Sequence, residues 1–239
     1  MGNSVYATLT RQSGLMNEMR VVANNIANLA TTGFRAESTV FSEFVVPLGS
    51  GEGSVSMARA NAHSTNYGQG TLTQTGGTFD LGINGDGFFQ LETPAGVRLS
   101  RAGAFSPNPA GELVSPEGYR LLDAGGAPVF VPQGVSDISI SPDGTLSAEG
   151  NPVGQIGLVL PADPNDMVRE DGVRFKTESE LLPAENASMS QGFLESSNVE
   201  AVQQISRMIE VQRSYEMGQS FLEKEDERLR SIMTLLGGR

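Results

Sequence analysis

Two stretches of this 239-residue chain, and a scatter of acidic residues, hold the residue types from which catalytic and ligand sites are made. Gly82-Ile83-Asn84-Gly85-Asp86-Gly87 has three glycines, as a phosphate-cradling loop does. The spacing reverses that of a dinucleotide loop and no helical pattern follows, so it reads as a hairpin turn. Asp163-Pro164-Asn165-Asp166, running on to Glu170-Asp171-Gly172, has the oxygen donors of a calcium loop. Its sixth position is Val168, where that loop needs glycine for its sharp bend. Acidic pairs abound, and two carboxylates at the right distance make a glycosidase. Nothing in the spacing selects any two of them, and a solvated acidic surface accounts for the set. His63 is the single histidine and there is no cysteine. A histidine metal site, a Ser-His-Asp triad, thiolate chemistry and disulfides are therefore not expected. The reading is a non-enzyme with no catalytic residue, metal or cofactor.

The charge is −12, and it is concentrated in the middle of the chain. Residues 76–195 carry seventeen acidic and six basic side chains, whereas 1–75 balance and 196–239 nearly do. An acidic surface of this kind opposes binding to nucleic-acid phosphates. The near-neutral ends can crowd together at little electrostatic cost. No apolar run reaches the length of a membrane span, so no membrane insertion is expected. The opening Met1-Gly2-Asn3-Ser4-Val5-Tyr6 lacks the basic and apolar regions of a secretory signal. Tyr6 stands where a myristoylation site needs Ser or Thr. The chain is expected to stay in the cytoplasm or to leave by a route that needs no cleaved signal.

The elements that would position these residues follow from proline. All 12 prolines lie between Pro47 and Pro183, and both proline-free ends carry apolar residues at helical spacing. From Ser4 to about Leu29 the seam reads Val5, Leu9, Gln12, Met16, Met19, Ala23, Ile26, a heptad pattern with one polar member. Such a helix would be about 38 Å long at ~1.5 Å per residue. Asn24, Asn25 and Asn28 at its end either cap it or hydrogen-bond across a helix interface. Ser197-Asn198-Val199-Glu200 has capping-box spacing and opens a second long helix. Along that helix Ala201, Met208, Tyr215, Leu222, Leu229 and Leu236 recur every seventh residue. Ile205, Gln212, Gln219, Asp226 and Met233 alternate with them, and Gly237-Gly238 closes the helix.

The fold class expected is α+β: terminal helices forming a coiled-coil-like bundle, with a central, mainly antiparallel β domain. The helical domain takes 1–30 and 196–239, an extended connector takes 31–75, and the β domain takes 76–195. The connector has strand-like patches at Val40–Pro47 and Gly70–Thr75, with a flexible excursion at Gly49-Ser50-Gly51-Glu52-Gly53. In the β domain, short runs such as Phe88–Leu91, Val129–Val131 and Ile138–Ile140 alternate with Gly- and Asp-containing turns. Helical ends around such an insert suggest a subunit built to bundle with neighbours.

Several motifs carry a family resemblance. Ala23-Asn24-Asn25-Ile26-Ala27-Asn28-Leu29-Ala30-Thr31-Thr32-Gly33-Phe34-Arg35 resembles the N-terminal motif of flagellar rod and hook proteins. Asn84-Gly85-Asp86-Gly87-Phe88-Phe89 is similar to their central motif, and Ser100-Arg101-Ala102-Gly103-Ala104-Phe105 to their next β segment. Gly192-Phe193-Leu194-Glu195-Ser196-Ser197-Asn198-Val199 and Met208–Glu216 resemble the C-terminal part. The short length and the Tyr6 opening resemble proximal-rod members more than distal-rod ones, and Ala30 departs from the polar residue often found there. The resemblance implies a structural subunit of the basal-body rod in the periplasm. It would leave through the flagellar type III export apparatus and stack helically with copies of itself and other rod proteins. The residues expected at subunit interfaces are Val5, Leu9, Met16, Met19, Ala23, Asn24, Asn25, Ile26, Asn28, Gly33 and Phe34 from the N-terminal part. Ser197, Asn198, Val199, Ile205, Met208, Tyr215, Leu222, Leu229 and Leu236 are their counterparts at the other end. Gly85, Asp86, Gly87, Phe88, Phe89, Arg101, Gly103 and Phe105 are the β-domain motif residues. A non-flagellar coiled-coil scaffold or adhesin is the competing class, and a carbohydrate-active enzyme a distant third.

Overall fold

A computed structural model describes residues 2–47, 54–135 and 137–237; for 2–4, 6, 41–47, 54–62 and 236–237 only the backbone is described. The Gly49–Gly53 excursion, Gly238 and the side chain of Leu236 lie outside the described residues. The fold is α+β, with two long helices at the ends and antiparallel strands between them. It divides into two compact units, one of residues 1–27, 36–66 and 200–239, the other of 28–35 and 67–199.

The first unit holds α1 (Gly2–Ala27), strands β1 (Glu37–Pro47) and β2 (Ser54–Thr65), and α2 (Ala201–Gly237). Both helices form where proline is absent. At ~1.5 Å per residue α2 is about 55 Å long and outruns α1 by more than two turns. The Thr31 amide and hydroxyl bond back to Asn28, at its carbonyl (3.2 Å) and side-chain oxygen (3.0 Å), in the turn that follows α1. At the head of α2 the first helical amide bond runs from Gln204 to the Glu200 carbonyl (3.0 Å). Ser197 Oγ instead accepts from the amide of Val199 (3.3 Å), so the expected capping box is replaced by a local Ser turn ahead of the helix. Residues 36–66, read from the sequence as part of a connector, are largely a β-ribbon: β1 and β2 pair antiparallel from Glu37↔Thr65 to Pro47↔Ser54, with a bulge between Val40 and Phe41. Sequence patterning located β1 but not β2, whose Ser54–Thr65 segment is mostly polar or small.

The second unit is built on a nine-stranded sheet whose described pairings are antiparallel. At its centre β5 (Phe88–Thr93) pairs with β6 (Gly96–Ser100), with Arg120–Leu122 and with Leu158–Pro161. Side chains alternate along a strand, so Phe88 and Phe89 enter different cores. Phe89 joins Leu81, Ile83, Leu91, Phe105, Leu113 and Leu121, and meets the ring of Phe105 edge-on at 5.2 Å. Phe88 packs with Leu99, Val159 and Phe175, with ring centroids 6.0 Å apart to Phe175. Each buried Phe or Leu contributes roughly 1.5–3 kcal/mol. Two further two-stranded pairings bring the C-terminal motif in: Ser188–Gln191 pairs with β4 (Leu81–Asn84), and Phe193–Glu195 with β3 (Leu72–Gln74). Val129–Val131, expected as a strand, contributes only isolated bridges through Phe130 and its neighbour Pro128.

Candidate functional site

The β unit is tied together by a buried cluster of three charges. Glu195 is 0% exposed, and Arg35 and Arg101 are each 2% exposed. One Glu195 carboxylate oxygen accepts from Arg35 Nη1 (2.7 Å) and from the Gly70 amide (2.7 Å). The other accepts from Arg101 Nε (2.7 Å), and the Glu195 carbonyl accepts from the Gly33 amide (2.8 Å). Arg101 also donates to the carbonyls of Gly85 (2.9 Å), Gly87 (2.6 Å) and Ile83 (3.3 Å), and Arg35 to that of Gly68 (2.5 Å). A planar guanidinium with five N–H donors suits this work, because it can hold several carbonyls and a carboxylate at once.

Such a cluster specifies geometry more than it adds stability. Removing charges from water costs several kcal/mol per ion, and the attraction between them only roughly repays it. These shared bonds hold residues 35, 85, 87, 101 and 195 in place relative to one another. The surroundings reinforce this. Gly33 has φ +70, a left-handed conformation that glycine adopts without strain, and a Cβ there would meet the backbone of Ala102. Phe34 is buried, with the Arg169 guanidinium 4.7 Å from its ring centroid; the same guanidinium lies 4.8 Å from Phe175 and donates to the Arg35 carbonyl (2.5 Å). Gly103 is forced by close approach, since a Cβ would run into the Leu81 carbonyl.

The acidic stretch that resembled a calcium loop is committed to its own backbone and to arginines. Asp163 caps the 3-10 turn Pro164–Asp166 by accepting from the Asn165 amide (2.9 Å). Asp166 accepts from the amides of Glu178 (2.7 Å) and Ser179 (2.8 Å) and from the hydroxyls of Thr177 and Ser179. The Glu178 amide leads these donors in holding its carboxyl at about 2. Glu170 pairs with Arg98 (2.9 Å through Nη2), and the Arg98 bond lowers its pKa; Asp171 pairs with Arg174. Among the described residues no group of three or more His, Cys, Asp or Glu is placed to hold a metal ion.

In the helical unit, the stripe that α1 buries is Gln12, Leu15, Glu18, Val21, Val22 and Asn25. It coincides with the expected seam only at Gln12. Leu9, Met16 and Ala23 are exposed, while Val5, Met19 and Ile26 are half-buried. On α2, Met208, Tyr215 and Leu222 lie on the half-buried stripe as expected, but the alternating positions are one residue earlier than predicted. They are Gln204, Val211, Gly218 and Glu225 rather than Ile205, Gln212, Gln219 and Asp226. Ile205 and Leu229 are exposed. The shift has a local cause: Gln12 Nε2 donates to the Tyr215 carbonyl (2.8 Å) and occupies the space a side chain at Gly218 would need. Buried Glu18 is met by Arg207 Nε (2.5 Å). Asn25 grips the backbone of Glu37, donating to its carbonyl (2.7 Å) and accepting from its amide (2.9 Å), and also donates to Gln204 Oε1 (3.1 Å).

Some expected interface residues therefore have work inside the chain. Asn25, Gly33 and Phe34 are buried. Asn198 donates from its side chain to the Gly68 carbonyl (2.7 Å) and from its amide to the Phe34 carbonyl (3.3 Å). Asn24 is exposed, Asn28 holds its turn, and Ser197 and Val199 are half-buried. In the β motif, Gly87, Phe88, Phe89, Arg101, Gly103 and Phe105 are buried, Gly85 is half-buried and Asp86 is exposed. Sequence reading missed Arg35 and Glu195 as partners of Arg101. The available signal was one lone charge in each of three otherwise uncharged motifs.

What α2 leaves uncovered matters as much. Val202 (77%), Met217 (66%), Met233 (66%) and Leu235 (82%) are exposed, with Ile205, Ile209, Phe221, Leu229 and Ile232 also uncovered. Large apolar side chains left uncovered along a helix are characteristic of proteins that bury them against others. Family comparisons agree in chain order. The model described as flagella basal body rod protein matches residues 7–35, the flagellar hook protein FlgE/F/G D1 domain matches 82–148, and the flagellar basal body rod FlgEFG protein C-terminal region matches 190–235. The flagellar basal-body rod protein FlgF of Caulobacter vibrioides is 37% identical over 99% of both chains, and FlgF of Mesorhizobium japonicum is 37% identical over 90% of both. FlgG of Bacillus subtilis is 29% identical over 98% of this chain and 99% of its own. The chain belongs to the flagellar basal-body rod protein family. Arg35, Arg101 and Glu195 fall one in each of the three matched segments, so the ion cluster is where those segments meet.

Proposed function

We propose that this protein is a structural subunit of the proximal rod, polymerising through its terminal helices with copies of itself and with other rod proteins in the periplasmic drive shaft. The observation that carries this reading is the uncovered apolar series on α2 from Val202 to Leu235. A polymer can cover such a surface on every subunit, and open helical stacking requires contacts between unlike faces. The exposed Leu9 and Met16 of α1 and Ile205 and Leu229 of α2 are the expected seam residues best placed for those contacts. Residues 1–30 and 196–239 form the helical bundle of the polymer, in coiled-coil-like packing. Export proceeds through the flagellar type III apparatus without a cleaved signal, and the subunit performs no catalysis and needs no cofactor. The proximal position is favoured over the distal one by the higher identity to the FlgF relatives than to the FlgG relative.

Two experiments test this. Met217→Asp and Ile232→Asp place charge on the uncovered stripe and should abolish rod assembly and motility while leaving the circular dichroism of the purified chain unchanged. Normal assembly by both variants would overturn the helix-interface reading. Deleting the gene and imaging basal bodies should leave rods that stop before the distal segment. A near-complete rod lacking only its hook would reassign the chain to the distal position.

A further inference from the structure

A cleft of about 330 Å³ in the β unit is lined by Arg35 and Arg101, by apolar walls that include Phe88 and Leu160, and by the exposed residues Asp86 and Ala162. The charges at this cleft are unequal in a specific way. Two buried guanidiniums share the single buried carboxylate of Glu195, leaving one positive charge in excess. Buried charge without a counter-charge is costly. Arg35 Nε is buried and has no hydrogen-bond partner among the described residues. Burial is the largest influence on Arg35, pushing its pKa down, with Glu195 acting against it. Asp86 also favours the charged guanidinium, but as the weakest of the influences on it, and it forms no ion pair with Arg35.

We propose that this cleft is a carboxylate-binding site, taking a carboxylate carried on an apolar stem. The carboxylate oxygens accept from the spare N–H donors of Arg35 and Arg101, and the stem lies along Phe88 and Leu160. A carboxylate suits two guanidiniums because its paired oxygens match their fork of donors. An apolar stem suits walls that offer it few polar partners. Such a group is available from a free alkanoic acid or from an acidic side chain of a neighbouring subunit. Only the second source rests on the rod reading, and binding to the unassembled chain is measured independently of it.

The test titrates the purified full-length protein with sodium hexanoate, and with hexylammonium chloride at matched ionic strength, following the NMR signals of the Ala162 methyl and Arg35 Nε–H. Saturable shifts with hexanoate and none with hexylammonium are expected. Asp86→Asn removes a competing negative charge and should tighten hexanoate binding by about threefold or more. Ala162→Trp fills the cleft from an exposed position and should abolish the shifts while the circular dichroism stays unchanged. Absence of saturation in both the wild type and Asp86→Asn, or equal responses to the two ions, would overturn the proposal. A parallel titration with acetyl-Leu-Glu-Leu-amide separates the sources: tighter binding than hexanoate assigns the site to a neighbour's side chain, and weaker binding to a free acid, both upholding a carboxylate site.

Discussion

The two units use their buried polar side chains in opposite ways. In the β unit the polar groups at the centre are fully charged, and the carboxylate of Glu195 is satisfied by two arginines and a backbone amide. The result is one permitted arrangement of distant segments. In the helical unit the buried polar groups pair separately along a thin stripe: Gln12 with a carbonyl, Glu18 with Arg207, Asn25 with the backbone of Glu37 and with Gln204. Among the described side chains of α2, Val211 is the one buried hydrophobic residue, and most of the large apolar ones are uncovered. The contrast teaches where uniqueness is required. A rigid module has to be complete within the subunit, whereas an assembly element has to leave part of its burial for its neighbours.

The largest effect should come from breaking the charged centre. Glu195→Ala leaves two buried guanidiniums without their counter-charge and should destabilise the β unit by about 3–5 kcal/mol, read by urea denaturation. A loss of less than ~1 kcal/mol would mean that water replaces the carboxylate and that the cluster is not what fixes the segments. Gly103→Ala puts a methyl group against the Leu81 carbonyl and should cost about 3 kcal/mol in the same assay. Arg207→Ala tests the other side of the comparison. It leaves Glu18 buried without Arg207, yet Arg207 is itself about half exposed, so about 1 kcal/mol is expected. A cost as large as that of Glu195→Ala would erase the distinction between the units.

The smallest effect concerns Asp166. Its carboxyl is held at about 2, below the ordinary carboxylate value, by the Glu178 amide first and then by the Ser179 and Thr177 hydroxyls and the Ser179 amide. The sign follows from the depressed value: the stabilisation is complete above the unfolded pKa of about 3.9 and is lost as pH falls through about 2. Amide hydrogen exchange at Glu178 and Ser179 should therefore lose protection across that acid window, beyond the intrinsic pH dependence of exchange. Asp166→Asn should remove the titration, and a variant that keeps it would assign the effect to another carboxylate.

Much of this design is legible in the sequence because it is local. Proline is confined to the middle, so the ends can be helical; heptad recurrence identifies Met208, Tyr215 and Leu222 as sharing one face; alternating runs and Gly-Asp turns mark the β module. Ordered motifs from Ala23 to Glu216 carry the family. Tertiary structure alone decided which face each helix buries. Periodicity states which side chains lie together, not which face meets a partner, and the absence of a side chain at Gly218 lets Gln12 in and draws Val211 rather than Gln212 into the stripe. It also decided that Asn25 serves the backbone of Glu37, and that Arg35, Arg101 and Glu195 form one cluster. Charges separated by 66 and 94 positions leave no pattern in a linear reading. Their pairing depends on exclusion of water, which exists only once the strands between them have folded.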